Sequence, residues 1–301
     1  MRKRFLSLFA CVLLFASCKE NHALVSLTIS PPSADSVYQG SVDAAQVHNI
    51  LVEEFTGASC PNCPAGHAAL AALKLQYGNT LHILGIHPHD TLFAQAFPQP
   101  GAQYDFRTKI GYALEINVFG GLNFMPSAGV DRVLYSGGLL LDRNLWGAAI
   151  GARSTDQSSP VNLTVSSSYN PATDTAATIA ATIKYVSTVS PGQNLSIAIV
   201  EDSLVDAQDS VGISIPNYVF NNVFRDMVTS GNPTSGDPLL ASHSSITAGT
   251  VNIRTYFYKV NQGAPNFNNN VHVPQHCRVI AFVTDNTTHA VLQSAECPLV
   301  N

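Results

Sequence analysis

Charge is scarce in this chain of 301 residues. Lys, Arg, Asp and Glu together make up 12% of it, and the formal net charge is −5. The basic residues form no cluster beyond Arg2, Lys3 and Arg4 at the N-terminus. Because nucleic-acid binding needs basic patches that contact the phosphate backbone, we expect no nucleic-acid partner.

Long hydrophobic runs are also missing. A transmembrane helix needs about 18 or more consecutive apolar residues, and no stretch of the chain reaches that length. Residues 5–16 form a shorter apolar run, interrupted only by Ser7, directly after the basic N-terminus. A basic start followed by a short apolar run is typical of an export signal. We therefore predict that residues 1–17 are a signal peptide.

The end of this signal resembles that of bacterial lipoproteins. Residues 14–18 read Leu-Phe-Ala-Ser-Cys, with small residues directly before the cysteine. The resemblance implies that Cys18 is lipidated and attaches the protein to a membrane of the cell envelope. A plain signal peptide with an incidental cysteine is the alternative. Residues 18–47 lack strong periodicity, and we expect them to be a tether.

Cysteines are few, and their spacing limits the sites they can build. Six are present, of which Cys11 lies in the signal; beyond Cys18, four remain as two local pairs. An even number in an exported chain favours disulfides. A structural zinc site needs four ligands, and no second CxxC accompanies the first one. We therefore predict neither a metal nor a cofactor.

The CxxC at residues 60–63 lies between two predicted strands. Residues 49–55 are β-rich, residues 61–77 carry apolar residues at helical spacing, and residues 81–86 form a second β-rich run. This order predicts a βαβ unit. Residues 88–124 look like an insertion containing a helix over 103–115. A strand over 127–133 and a helix over 141–153 are expected to follow.

This arrangement suits redox chemistry. Pro61 is favourable at the first position of a helix, which would place Cys60 at the helix N-terminus. The positive end of a helix stabilises a thiolate and lowers the pKa of the thiol. Cys60 would then be the nucleophile and Cys63 the resolving thiol. A static disulfide is the alternative, as is a zinc site completed by His67 or another histidine.

Residues 50–55 (ILVEEF) followed by the CxxC resemble the first core strand and active site of the thioredoxin superfamily. Pro61 and the Glu-Phe pair before the loop are more similar to the periplasmic oxidant DsbA. The resemblance implies a thioredoxin-like domain over residues 48–155. It also implies that Glu54 relays a proton to the resolving thiol, with Glu53 as the alternative buried acid. Pro126 would be a cis-proline beside the disulfide, presenting the backbone of Met125 to an extended substrate.

A narrower resemblance covers more of the chain. Residues 53–57 (EEFTG), 60–64 (CPNCP), 126–132 (PSAGVDR) and 221–227 (NNVFRDM) are similar to the 28-kDa outer membrane protein-related lipoproteins of Bacteroidota. This resemblance implies an outer-membrane lipoprotein that faces either the periplasm or the cell surface. It supports the fold more than any particular reaction.

The second half of the chain has a different texture. Short alternating runs rich in Ser, Thr and Val are separated by turn residues, which predicts an all-β immunoglobulin-like sandwich over residues 158–301. The last two runs, 277–285 and 289–297, predict a hairpin. If Asp285 faces His289, then Cys277 faces Cys297, and we predict a structural disulfide between them.

Two functional hypotheses follow from these patterns. The first is a lipid-anchored thiol–disulfide oxidoreductase that acts on protein thiols or disulfides through Cys60, Cys63, Glu54 and Pro126. The alternative is a non-enzymatic outer-membrane or surface lipoprotein, an adhesin or assembly partner, whose thioredoxin-like fold holds a structural disulfide. Fold alone does not decide between them.

Overall fold

The computed structural model describes residues 34–156, 159–229, 233–260 and 271–301. The predicted signal peptide and the lipidation site Cys18 lie outside these ranges. The described chain is mostly β-structure with few helices. In these same ranges, no helix has the length and apolar character needed to cross a membrane.

The helices are α1 (Cys63–Tyr77), α2 (Lys109–Asn117) and α3 (Arg143–Ser154). The strands are β1 (Ala34–Gln39), β2 (Ile50–Phe55), β3 (Leu81–Ile86), β4 (Ser127–Val130), β5 (Val161–Ser168), β6 (Ala177–Tyr185), β7 (Gln193–Glu201), β8 (Leu204–Ser210), β9 (Ile213–Phe220), β10 (Val223–Met227), β11 (Asp237–Leu239), β12 (Thr250–Tyr258), β13 (Cys277–Asp285) and β14 (Val291–Pro298).

The βαβ unit predicted around the CxxC is present. Strands β2 and β3 are parallel and are joined by α1, while β4 runs antiparallel on the other side of β2. Both parallel strands are buried along their whole length, as expected for strands covered on both faces. The helix begins at Cys63, two residues later than predicted, because residues 61–62 form a turn. Pro64, and not Pro61, therefore lies in the first helical turn.

The insertion contains one helix, which is shorter than predicted. Thr108 is the N-cap of α2, and its side chain accepts a hydrogen bond from the backbone N–H of Gly111 at 2.9 Å. Such a cap fixes the start of a helix, so residues 103–107 stay outside it. Asp142 caps α3 in the same way through the N–H of Asn144.

Two large sheets and the separate β8–β9 hairpin contain the strands of the second half of the chain. A four-stranded sheet, ordered β1-β12-β6-β5, packs across an apolar core against strands β7 and β13 of a longer sheet. Strands β5, β6 and β7 lie in the region of short alternating runs that predicted a β-sandwich. Strand β1 falls in the predicted tether and pairs with β12 instead, so the part of that segment from residue 34 onward includes an edge strand of the sheet.

The longer sheet runs through both halves of the chain. Its order is β14-β13-β7-β10-β3-β2-β4, and β11 also pairs with β7. The halves meet where Val223 pairs in parallel with Gly85, and the Gly85 N–H donates to the carbonyl of Asn222 at 2.7 Å. A Cβ at Gly85 would lie 3.0 Å from that carbonyl oxygen. The change in amino-acid composition near residue 158 therefore does not interrupt the sheet.

The predicted register of the last hairpin is wrong by two residues. Val279, rather than Cys277, faces Cys297. One residue of the shift arises at the turn, where the Asp285 N–H donates to the carbonyl of Ala290 and the Asp285 carboxylate accepts from the N–H groups of Thr287 and Thr288. The second arises at a bulge, because Thr284 pairs with Val291 whereas Val283 pairs with Gln293.

The predicted disulfide between Cys277 and Cys297 is consequently absent, and both thiols are free. Cys277 is buried, and its carbonyl oxygen accepts a hydrogen bond from the N–H of Leu299. Burial raises the pKa of Cys277 well above its usual value and that of Cys297 to about 11. Neither thiol is therefore activated as a nucleophile.

Candidate functional site

Cys60 and Cys63 form a disulfide at the start of α1, with their Cα atoms 5.4 Å apart. The N–H of Cys63 donates to the carbonyl of Cys60 at 3.3 Å, which closes the turn before the helix. Both residues are 0% exposed to solvent. A thiolate substrate attacks a disulfide sulfur directly, so access to these sulfurs decides whether the pair can react.

A hairpin from the second half of the chain covers the disulfide loop. Strands β8 and β9 pair with each other and with no other strand of the described residues. The N–H of Asp209 donates to the carbonyl of Ala58 at 2.8 Å, and the N–H of Val211 donates to that of Pro61 at 3.2 Å. Main-chain hydrogen bonds of this kind are what an extended substrate would make with an exposed edge. Here the protein's own hairpin makes them.

Gln208 anchors this hairpin through its side chain. Its amide nitrogen donates to the carbonyl oxygens of Gly57 at 3.2 Å and Cys60 at 3.0 Å. The residue is fully buried. Since buried carbonyl groups need partners, these hydrogen bonds stabilise the contact between the hairpin and the disulfide loop.

The insertion closes the opposite side of the loop. The N–H of Ser59 donates to the carbonyl of Gln95 at 3.1 Å, and the Gln99 side chain donates to the Ser59 hydroxyl at 2.8 Å. A Cβ at Gly57 would lie only 2.2 Å from the Gln95 oxygen. Gly57 is therefore required for this close approach, and the loop is held between two segments distant in sequence.

Glu54 and Pro126 meet beside the first turns of α1. The Met125–Pro126 peptide bond is cis, as the resemblance implied. A Cβ at Gly66 would lie 2.9 Å from Oε1 of Glu54 and 3.0 Å from Cβ of Pro126. Met125 belongs to the same apolar cluster as the two cysteines. The structure thus brings together all four residues proposed for redox chemistry.

Glu54 lacks a charged partner. Its Oε1 is buried and has no hydrogen-bond partner among the residues that the structure describes. Burial raises the pKa of this carboxyl to about 8, so it is protonated at neutral pH. His67 lies 3.9 Å from it, but burial lowers the pKa of that imidazole to about 4. The two groups are therefore neutral neighbours at pH 7.

His67 connects the helix to the covering hairpin. Its Nε2 lies 2.8 Å from the hydroxyl of Thr56, and its Nδ1 lies 2.8 Å from the hydroxyl of Tyr218 on β9. Both ring nitrogens are thus engaged, which leaves His67 no free position for zinc. In the described ranges, no group of His, Cys, Asp and Glu side chains is placed to hold a metal ion.

Glu53 is buried as well, on the other side of the strand. The guanidinium of Arg132 donates to both of its carboxylate oxygens at 2.7 Å. A bidentate pair of this kind satisfies the carboxylate fully. Both candidate acids are therefore buried, and Glu54, the acid beside Pro126, is the one without a charged partner.

The role of Gln208 was not predictable from the sequence. It lies in a strand of alternating exposure, where a polar residue gives no sign of the face it occupies. Its partners are about 150 residues away in the chain. The contact between Tyr218 and His67 is equally non-local.

Comparisons with known proteins identify the family. The model of the family described as outer membrane protein Omp28 matches residues 116–298, more than half of the chain. The matched segment begins after the CxxC, so the family match does not include the disulfide. No curated protein matches the chain.

Solved structures add a likeness in fold. HBP35 of Porphyromonas gingivalis is similar to this chain with a TM-score of 0.62 and 17% identity, covering 85% of this chain and 77% of that one. A domain of the outer membrane lipoprotein Omp28 from Porphyromonas gingivalis also matches, with 17% identity and a TM-score of 0.29, over 48% of this chain and 90% of its own. The chain belongs to the Omp28 family and is an outer membrane protein of the cell envelope.

Proposed function

We propose that this protein is a non-enzymatic outer-membrane lipoprotein, an adhesin or assembly partner, in which a thioredoxin-like unit carries a structural disulfide. In this proposal an immunoglobulin-like sandwich follows the thioredoxin-like unit, and lipid on Cys18 attaches the chain to the membrane. The long shared sheet then acts as a rigid support for surfaces that bind other envelope components.

The burial of the disulfide carries this proposal. A redox-active CxxC presents the sulfur of its first cysteine to a partner thiol. Here Cys60 is fully buried, and Gln208 and the backbone of the β8–β9 hairpin hold the loop that contains it. Exchange with a protein substrate would require this hairpin to move away first.

Thiol–disulfide exchange is the second candidate function. The cis-proline at Pro126 and the buried Glu54 beside the CxxC favour it. In that case a thiol donor would first reduce the pair, and the Cys60 thiolate would attack a protein disulfide and release one substrate thiolate. Cys63 would pass its proton to Glu54 and resolve the mixed disulfide, which re-forms the Cys60–Cys63 bond and releases the second substrate thiolate. Protein thiols or disulfides would then be the substrates.

Catalysed reduction of insulin disulfides by dithiothreitol distinguishes the two functions. We expect the wild-type protein to give no more turnover than the double variant Cys60→Ser/Cys63→Ser. We also expect a reduction potential below about −300 mV, the range of structural disulfides. Turnover above that of the double variant, with a potential between about −270 and −120 mV, would establish an oxidoreductase.

A further inference from the structure

A cleft of about 350 Å³ lies between α1 and the end of the covering hairpin. Its helix side includes the exposed residues Ala68 and Ala71, and its hairpin side includes Tyr218 and Asn221. The volume falls at the small end of the range for ligand sites in proteins. The disulfide residues are not among those that line the cleft.

Glu54 lies at the inner end of the cleft. It is 3% exposed, and its Oε1 is buried without a hydrogen-bond partner among the described residues. A buried polar atom left unpaired destabilises a protein by about 1–3 kcal/mol. A protonated carboxyl offers both a donor and an acceptor, and an amide of a ligand presents the complementary pair.

The rest of the lining carries no formal charge at neutral pH. His67 is neutral and is engaged by Thr56 and Tyr218. Asn221 and Asn222 also line the cleft, and their side-chain oxygens accept hydrogen bonds from the Ser203 N–H and the Arg278 guanidinium. Alanine, proline and valine side chains supply an apolar surface beside these polar groups.

We propose that this cleft binds a small neutral ligand through an acetamido group, with the amide paired to Glu54 and the methyl group on the apolar side of α1. The proposal goes beyond the proposed function, because binding here does not depend on whether the disulfide is inert. An acetamido group can belong to an N-acetylated sugar or to an acetylated peptide, and both share the same recognition chemistry.

Calorimetric titration of the purified protein tests this proposal with two probes, N-acetylglucosamine and N-acetylalaninamide. Glucose and alaninamide, which lack the acetyl group, are the matched controls. We expect saturable binding of at least one acetylated probe near neutral pH and no saturable binding of its control. The probe that binds identifies the source, sugar or peptide, and binding of both indicates that the acetamido group alone is recognised.

The pH dependence locates the binding at Glu54. Above the pKa of the carboxyl, affinity should fall about tenfold per pH unit, because the ionised form loses its donor. Glu54→Gln keeps a donor and an acceptor in the same place, so it should retain binding and lose this pH dependence. Affinity that rises above about pH 8 would indicate a cation site instead and would overturn the proposal.

A pair of helix variants keeps the test independent of the buried acid. Ala71→Trp fills the mouth of the cleft and should weaken binding by about tenfold or more. Ala72→Trp lies on the exposed surface outside the cleft and should leave binding unchanged. Absence of saturable binding by both acetylated probes, or equal binding in Ala71→Trp and wild type, would refute the assignment.

Discussion

Glu53 and Glu54 are adjacent on one buried strand, yet their surroundings differ. Glu53 faces Arg132, which donates two hydrogen bonds to its carboxylate, whereas Glu54 faces Gly66 and a neutral histidine. The first acid is paired with a guanidinium, and the second keeps its proton because burial disfavours its charge. The position of the two acids in the strand does not indicate which of them is paired. Their roles differ only because distant segments contribute different neighbours.

Removing Arg132 should leave Glu53 as a buried, unpaired charge. We expect Arg132→Met to lower the free energy of unfolding by about 3–5 kcal/mol, measured by urea denaturation. The double variant Glu53→Leu/Arg132→Met should recover most of that loss, because no buried charge then remains. A double variant as unstable as the single one would show that packing, and not the ion pair, makes this position important.

Glu54 should make stability depend on pH in the direction opposite to that of most carboxylates. Its pKa is about 8 in the folded protein, against 4.5 for a free glutamate side chain, so the folded state binds more protons than the unfolded state between those values. Stability should therefore be full below the unfolded pKa and fall as pH rises toward about 8, by up to about 1.4 kcal/mol per pH unit.

Urea denaturation of wild type and Glu54→Gln from acidic to mildly alkaline pH isolates this contribution. The difference in unfolding free energy between the two proteins should shift steadily in favour of the variant as pH rises. If the difference stays constant with pH, Glu54 is ionised in the folded state and its surroundings have been misjudged.

At the scale of elements, the β8–β9 hairpin decides what the CxxC can do. The strand–CxxC–helix–strand order and the cis-proline were predictable, because local spacing and a short motif carry them. The hairpin lies about 150 residues further along the chain, and nothing in its sequence indicates that it packs on the disulfide loop. For the same reason the sequence left the choice between a catalytic and a static disulfide open.

Gln208→Ala should loosen this cover. The carbonyls of Gly57 and Cys60 would each lose a donor, which should destabilise the protein by about 1–3 kcal/mol and raise the rate at which dithiothreitol reduces the disulfide. Ser214→Ala, at an exposed site on the same hairpin, is the matched control and should change neither quantity. Equal reduction rates in Gln208→Ala and wild type would mean that the hairpin does not limit access.

At the scale of the whole molecule, one sheet joins two halves that the sequence presents as separate. Composition changes near residue 158, and β2, β3 and β4 before this point lie in segments predicted to be strands, whereas β1 lies in the predicted tether. Their union could not be predicted, because it depends on the pairing of Val223 with Gly85 and on side chains such as His82 reaching Ser294. The error in the last hairpin has a related origin, since its register depends on the turn that Asp285 closes and on the bulge opposite Val283 and Thr284.

Gly85→Ala should test the pairing of β3 with β10, where the two halves of the chain meet. The added Cβ would lie 3.0 Å from the Asn222 carbonyl oxygen, and we expect crowding at this contact to lower the unfolding free energy by about 1–3 kcal/mol. Both halves should be affected together, as one cooperative transition. Gly147→Ala, in a helix with ordinary space around it, should instead stabilise the protein by about 0.5–1 kcal/mol.

The most direct test of the account is the rate at which the Cys60–Cys63 disulfide is reduced by dithiothreitol in the folded protein and in urea. Alkylation of the released thiols followed by mass measurement gives both rates. A buried, structural disulfide should be reduced only through unfolding, so the native rate should fall in proportion to the unfolded fraction. Equal rates in the folded and unfolded protein would contradict the account.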